Sequence, residues 1–220
     1  MLAAAGQAFR EIFTPAFRTI LFKCIGFTIA LLVLLIIAVE WSFAHFVTLP
    51  NWAEKTIEWF GGFALIAASV FLIPPATSLI AGLYLDDIAA EVEHTYYPTD
   101  APGHELGTGT ALAMSLRFFL VILAVNLLAL FLLLIPGVNL IAFYVGNGYL
   151  LGREYFEMVA MRHLPPEAAR SLRKANRVTV LLCGFVIAGL ASVPILNLTT
   201  PLFATAFMVH MFKLVRRGGA

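Results

Sequence analysis

VTVLLCGFVIAGLASVPILNLTTPLFATAFMV, residues 178–209, carries no charged side chain and is cut near its middle by Pro194, with Asn197 close by. As one straight helix it would run about 48 Å, well beyond a hydrocarbon core about 30 Å thick. Proline inside a helix removes a backbone hydrogen bond and kinks or breaks the chain. The stretch therefore reads as two apolar arms joined at a Pro-x-x-Asn turn. Phe118 to Gly152 has the same character, with Pro136 and Asn139 at its break. Cys24 to Val39, lengthened into Ile20 and Val47, and Trp59 to Leu85 each fit one crossing.

Composition agrees. Hydrophobic residues make up 61% of the 220 residues and charged residues only 12%, with mean hydropathy +0.92. Globular domains approach a quarter charged residues, so the class is a polytopic membrane protein. The longest polar segment, Asp86 to Arg117, leaves no room for a separate soluble catalytic domain. Residues 1–220 read as a single membrane domain. A net charge of +1 excludes a concentrated basic face for nucleic acid. Cys24 and Cys183 fall in apolar runs, where a thiol serves as a small buried hydrophobe. Arg10, Glu11, Arg18 and Lys23 precede an apolar run longer than that of a cleavable signal, so the first span is expected to stay.

The chain repeats itself weakly. Ser115-Leu116-Arg117 leads through an apolar run to Pro136-Gly137-Val138-Asn139-Leu140, and Ser171-Leu172-Arg173 leads through another to Pro194-Ile195-Leu196-Asn197-Leu198. Two copies of one helical hairpin explain the shared order. If both hairpins enter and return on one side, all of the 14 Lys and Arg residues except Lys55 lie on that side. That is the positive-inside bias, and it makes the side cytoplasmic together with both termini. A single crossing at the third stretch would strand Arg153, Arg162, Arg170, Arg173, Lys174 and Arg177 outside. Trp41, Trp52 and Trp59 mark the opposite interface. Each hairpin arm has about 15 to 18 residues, roughly 22 to 27 Å of helix, which suits partial insertion.

Ahead of the first span, Phe9, Ile12, Phe13, Ala16, Phe17 and Ile20 recur at helical spacing, with Arg10, Thr14 and Arg18 opposite. This predicts an interfacial helix over residues 2–22. The expected fold is an all-α integral membrane protein: two long transmembrane helices, two proline-broken re-entrant hairpins and this N-terminal interfacial helix. After the second span, Leu85, Ile88, Ala89 and Val92 form a stripe beside Asp86, Asp87, Glu91 and Glu93, predicting a helix that runs into water. Tyr97 to Gly109 then reads as a loop.

Thr14-Pro15-Ala16-Phe17-Arg18 is the sharpest local signal. Threonine suits an N-cap and proline the first helical position. The N–H groups of Ala16, Phe17 and Arg18 then point along the axis at the positive end of the helix dipole, where an anion binds. Arg18 adds a planar pair of donors for an oxyanion. The alternative is a proline-kinked interfacial helix whose arginine meets lipid phosphate. Asn126, Asn139, Asn147 and Asn197, amides in apolar segments, need partners. Helix-to-helix bonding or turn capping is one role and pore lining the other. Arg153, Glu154 and Glu157 read as an ion-pair cluster at a pore mouth or as a solvated helix start. Arg170, Arg173, Lys174 and Arg177 follow Pro165-Pro166 on a short helix and read as an anchor on anionic lipid, or as a lure for a cytoplasmic anion. His94 and His104 lack metal-ligand spacing. No Ser/His/Asp or nucleophilic Cys arrangement is present, so no catalytic residue is assigned.

Taken together, Thr14-Pro15-Ala16-Phe17-Arg18, Ser78 to Glu93 (SLIAGLYLDDIAAEVE), Gly152-Arg153-Glu154-Tyr155-Phe156-Glu157, Leu172-Arg173-Lys174-Ala175-Asn176-Arg177, and Pro194-Ile195-Leu196-Asn197 with Pro201 to His210 (PLFATAFMVH) resemble the CysZ sulfate permease family, grouped with etoposide-induced membrane proteins of eukaryotes. The resemblance spans nearly the whole chain. It implies an inner-membrane protein with two long helices and two partly inserted hairpins, admitting sulfate for cysteine synthesis without a cofactor. Its expected partners are sulfate or a related oxyanion and membrane lipid, with a homo-oligomeric assembly. The family's early Gly-Leu-Arg, which holds the sulfate, falls on Ala16, Phe17 and Arg18, and its Pro-Phe before the acidic helix falls on Leu83-Tyr84. Asn139, Asn197, Arg153 and Glu154 are the candidate pathway residues. A membrane scaffold that transports nothing is the competing reading; it predicts no anion flux and no effect of Arg18.

Overall fold

The computed structural model describes residues 1–46, 82–105 and 138–218, with isolated positions 80, 107, 109, 113, 116, 120, 123 and 124. Most of the expected second span, the outgoing arm of the first hairpin with Pro136, and Trp52, Lys55, Trp59, Arg117 and Asn126 lie outside the described residues. Among the described residues every element is helical: α1 (Leu2–Glu11), α2 (Pro15–Phe46), α3 (Leu85–Tyr96), α4 (Val138–Met161), α5 (Pro166–Ala175), α6 (Arg177–Ala191), α7 (Pro194–Asn197) and α8 (Thr200–Gly218).

Helix α1 stops where Pro15 dictates. A proline ring clashes with the carbonyl four residues earlier, here that of Glu11, so residues 2–22 cannot form one helix. The expected interfacial helix is thereby corrected to two helices with a turn between them. Ala4, Ala8, Glu11 and Ile12 are buried, whereas Phe13 is 65% exposed. Small side chains bring α1 close to its neighbour, and the phenylalanines are left to face outward.

Helix α2 supplies a 28-residue span, Pro15–Ser42, whose most apolar 18 residues have mean hydropathy 2.8 and are only 11% buried. Such a helix, apolar all round yet barely packed, is suited to lipid contact. Its hydroxyls are satisfied inside the helix, Thr28 Oγ1 donating to the Cys24 carbonyl at 2.8 Å and Ser42 Oγ to that of Ala38 at 2.7 Å.

Helix α8 is the hub. Every residue from Thr200 to Lys213 is buried, and α1, α3, α4 and α6 pack against it. Helices α4 and α6 form the most extensive pair and meet through glycine. A Cβ on Gly184 would collide with the backbone of Gly148, and one on Gly152 would lie 2.5 Å from the Val180 carbonyl oxygen. Only glycine permits that approach.

Helices α5 and α6 meet at a 90° elbow. Asn176 forms it with φ −110° and ψ 29°, its backbone N–H and its side-chain amide both donating to the Leu172 carbonyl. The break in the final apolar stretch falls at the expected proline. Val193 is extended ahead of Pro194, as a residue before proline prefers, and α7 fills the turn before α8 returns. Hydroxyl groups serve the turn's carbonyls: Ser192 Oγ donates to Ala188 O at 2.7 Å and Thr199 Oγ1 to Leu196 O at 2.8 Å. A turn away from water needs such partners.

Candidate anion-binding site

The start of α2 holds the three residues assigned to an anion. Ala16 is half-buried against the core, Phe17 is buried in it, and Arg18 is exposed with no ion-pair partner among the described residues. The N–H groups of Ala16 and Phe17 find no backbone acceptor among the described residues. Two details correct the expected geometry. The Arg18 N–H already donates to the Thr14 carbonyl at 3.0 Å, so two free amides remain rather than three. The Thr14 hydroxyl donates backward to the Glu11 carbonyl at 2.7 Å instead of acting as the expected cap. That carbonyl is available because Pro15 ended α1, and the Thr14 N–H donates to it too, at 2.9 Å.

Behind this corner lies a charged interior that the sequence pattern conceals. His210, buried on α8, bonds through Nε2 to Glu11 Oε1 and through Nδ1 to the Tyr97 hydroxyl, both at 2.8 Å. One and two turns on, Lys213 Nζ and Arg217 Nη2 each lie 3.2 Å from Asp100, and both cations sit over the Tyr97 ring. The Lys213 hydrogen bond, with help from Arg217, holds the Asp100 carboxyl below its ordinary range. Asp100, Ala101, Lys213, Arg216 and Arg217 line an open cavity of about 240 Å³.

A second cluster closes on Arg162, whose side chain is 1% exposed. It donates to the Asp86 carboxylate and, through Nη2, to Glu93 Oε2 at 3.2 Å. Glu93 Oε1 meets His163 Nε2 at 2.7 Å, and the Gly103 N–H donates to Glu93 Oε2 at 3.1 Å. Burial alone would raise the Glu93 pKa, but the hydrogen bonds from His163 and Arg162, the Arg162 charge and the Gly103 amide bring it down to about 2. Helix α3 forms with the expected stripe, Ile88, Ala89 and Val92 buried and Asp87 and Glu91 exposed; the departure is Glu93, which points inward with the stripe.

The pathway candidates are scattered. Arg153 and Glu154 lie inside α4, which continues past Gly152 to Met161, so the solvated helix start is corrected to a helix interior. Arg153 Nε lies 3.9 Å from Glu154 and 3.7 Å from Glu157, forming the expected ion pairs. Asn139 is the second residue of α4, and Asn197 is half-buried at the end of α7. The basic quartet is divided. Arg173 Nε donates to Glu157 Oε1 at 2.6 Å, which leaves Arg170, Lys174 and Arg177 exposed.

A family model described as sulfate transporter CysZ/Etoposide-induced protein 2.4 matches residues 4–201, from α1 into the start of α8. The chain belongs to this family. No curated protein gives a significant match. Membership in a transporter family, with the apolar α2, makes this a membrane protein of sulfate-transporter-like function. Sequence reasoning missed Glu11, Glu93, Arg162 and His210 as interior groups. The available signal was the pair His210 and Lys213, one turn apart at the end of a wholly apolar run.

Proposed function

We propose that this chain is a permease or channel of the bacterial inner membrane for an inorganic anion, sulfate, supplying its assimilation into cysteine. The observation that carries the reading is the start of α2. There two N–H groups and a guanidinium, all without a partner among the described residues, lie together at the positive end of a long helix dipole in a sulfate-transporter family. A tetrahedral dianion takes the Ala16 and Phe17 amides on one edge and the Arg18 fork on another. To the onward path we assign Arg153, Glu154, Asn139 and Asn197. A passive or gradient-driven flux fits a chain without a nucleotide-binding motif.

The test is sulfate uptake into proteoliposomes, with binding measured by calorimetry. Arg18→Ala is expected to weaken binding roughly tenfold to a hundredfold, since a hydrogen bond to a charged group contributes about 1.5 to 3 kcal/mol. Arg18→Lys should restore part of this, keeping the charge and losing the fork. Because Arg18 is exposed and unpaired, its loss leaves the core intact. Unchanged binding in Arg18→Ala would reject the site, and absence of uptake by the parent chain would favour the scaffold reading.

The elbow between α5 and α6 supports the orientation. If apolar α6 dips into the bilayer, α5 lies along its surface, and exposed Arg170, Lys174 and Arg177 meet anionic headgroups at the cytoplasmic boundary. In a chain lacking Cys24 and Cys183, cysteines at His104 and Ser171 should be labelled only from the cytoplasmic side, and one at Asn51 only from outside. Ser171 is exposed on α5, so a cysteine there is open to the reagent. Outside labelling at 171 would sink the re-entrant topology.

A further inference from the structure

The buried pair Glu11 and His210 lies behind the anion corner and is tied to it by an unbroken chain of bonds. His210 is fixed at both nitrogens, by Glu11 from α1 and by the Tyr97 hydroxyl beyond α3. Tyr96 also sets the edge of its ring against His210, 5.5 Å away. Glu11 is 1% exposed, and its carboxylate is held on the hub helix. Its carbonyl takes both the N–H and the hydroxyl of Thr14, and the Thr14 carbonyl takes the Arg18 N–H. Each link constrains the next, from the interior of α8 to the backbone of Arg18.

We propose that Glu11 and His210 are positioning residues for the anion site, and that Thr14 transmits their hold. The inference rests on the reading that the start of α2 binds sulfate. Two free amides and a flexible arginine bind an anion well only if the corner bearing them is already ordered. Otherwise the ligand must order it. Pro15 makes a turn unavoidable but does not choose its angle. That angle is set by where α1 is pinned, and the pin is Glu11 on His210. Phe17, buried in the core, is a second tether, so breaking the pin loosens the corner without releasing α2.

The full chain, reconstituted and assayed for sulfate binding and uptake, gives the test. Glu11→Ala is expected to weaken sulfate binding about tenfold, comparable to immobilising one or two side chains on binding. The half-saturating concentration should rise while maximal uptake is retained. Glu11→Gln should recover most of the loss, because its amide oxygen still accepts from His210. Thr14→Val, which leaves the core untouched, should give a smaller loss in the same direction and keeps the test available if Glu11→Ala fails to fold.

The combination with Arg18→Ala is decisive. If Glu11 acts through the corner, the double variant loses less than the product of the two single losses. A full product, or wild-type binding in both Glu11→Ala and Thr14→Val while Arg18→Ala binds weakly, overturns the positioning role alone. Wild-type binding in Arg18→Ala would instead remove the anion site, and this inference with it.

Discussion

Arg162→Met is expected to lower the stability of the purified protein by about 3 to 5 kcal/mol, a large fraction of what a folded domain has to lose. The methionine fills much of the same space, so the effect comes from what remains. Asp86 loses its guanidinium partner, and Glu93, itself buried, keeps its charge with only His163 and the Gly103 amide to face it. Thermal or denaturant unfolding in matched detergent measures the loss, and a variant as stable as the parent would show that the cluster is incidental. The cluster also has a pH signature with a defined sign. The folded-state pKa of Glu93 is depressed from 4.5 to about 2, so its contribution is complete above about 4.5. It drains away as pH falls from there toward 2, because the unfolded chain takes up the proton first. Glu93→Gln should flatten that limb of the stability profile.

Gly184→Val is expected to be the most damaging substitution in the apolar part of the molecule. A branched side chain there runs into the Gly148 backbone, which cannot rotate aside as a side chain would. Overpacking of a tight interior costs about 1 to 3 kcal/mol, and a backbone-to-backbone contact sits at or beyond the top of that range. Helices α4 and α6 must separate, so the Tyr144 hydroxyl, which donates to the Phe185 carbonyl across the same pair at 2.9 Å, should lose its partner. Unfolding temperature, and cross-linking between cysteines placed on the two helices, would follow the change. Gly146→Ala, at a position with open space around it, is the matched control and should be nearly silent. Equal behaviour of the two variants would refute the close crossing.

Breaks proved easier to read in the sequence than faces. Proline is a covalent constraint that acts locally, which is why the turn at Pro194, the helix opening at Pro166 and the start of α2 at Pro15 fall where the residues place them. The side of α1 that packs inside the protein was not legible, because apolar periodicity does not separate lipid-facing from protein-facing residues. Beside lipid, Phe9 and Phe13 lose nothing by facing outward, and Ala4 and Ala8 gain by close approach. At the candidate site, Arg18 and its apolar neighbours were legible because they are contiguous. Glu11 was not, since its partner His210 lies 199 positions away and no local pattern pairs them. Arg162 was counted toward the charge bias and nothing more, with its carboxylates 76 and 69 positions distant.

The place of the hub helix in the chain bears on biogenesis. Helix α8 follows in sequence every helix that packs on it. As the polypeptide emerges from the ribosome, α1, α3, α4 and α6 are made and must wait with the faces that meet α8 uncovered, Glu11 among them. The α8-facing sides of these helices stay open until it is made, so nascent chains are exposed to proteases and dependent on insertion factors until α8 arrives. Chains arrested short of Thr200 should therefore be degraded rather than accumulate as half-built molecules.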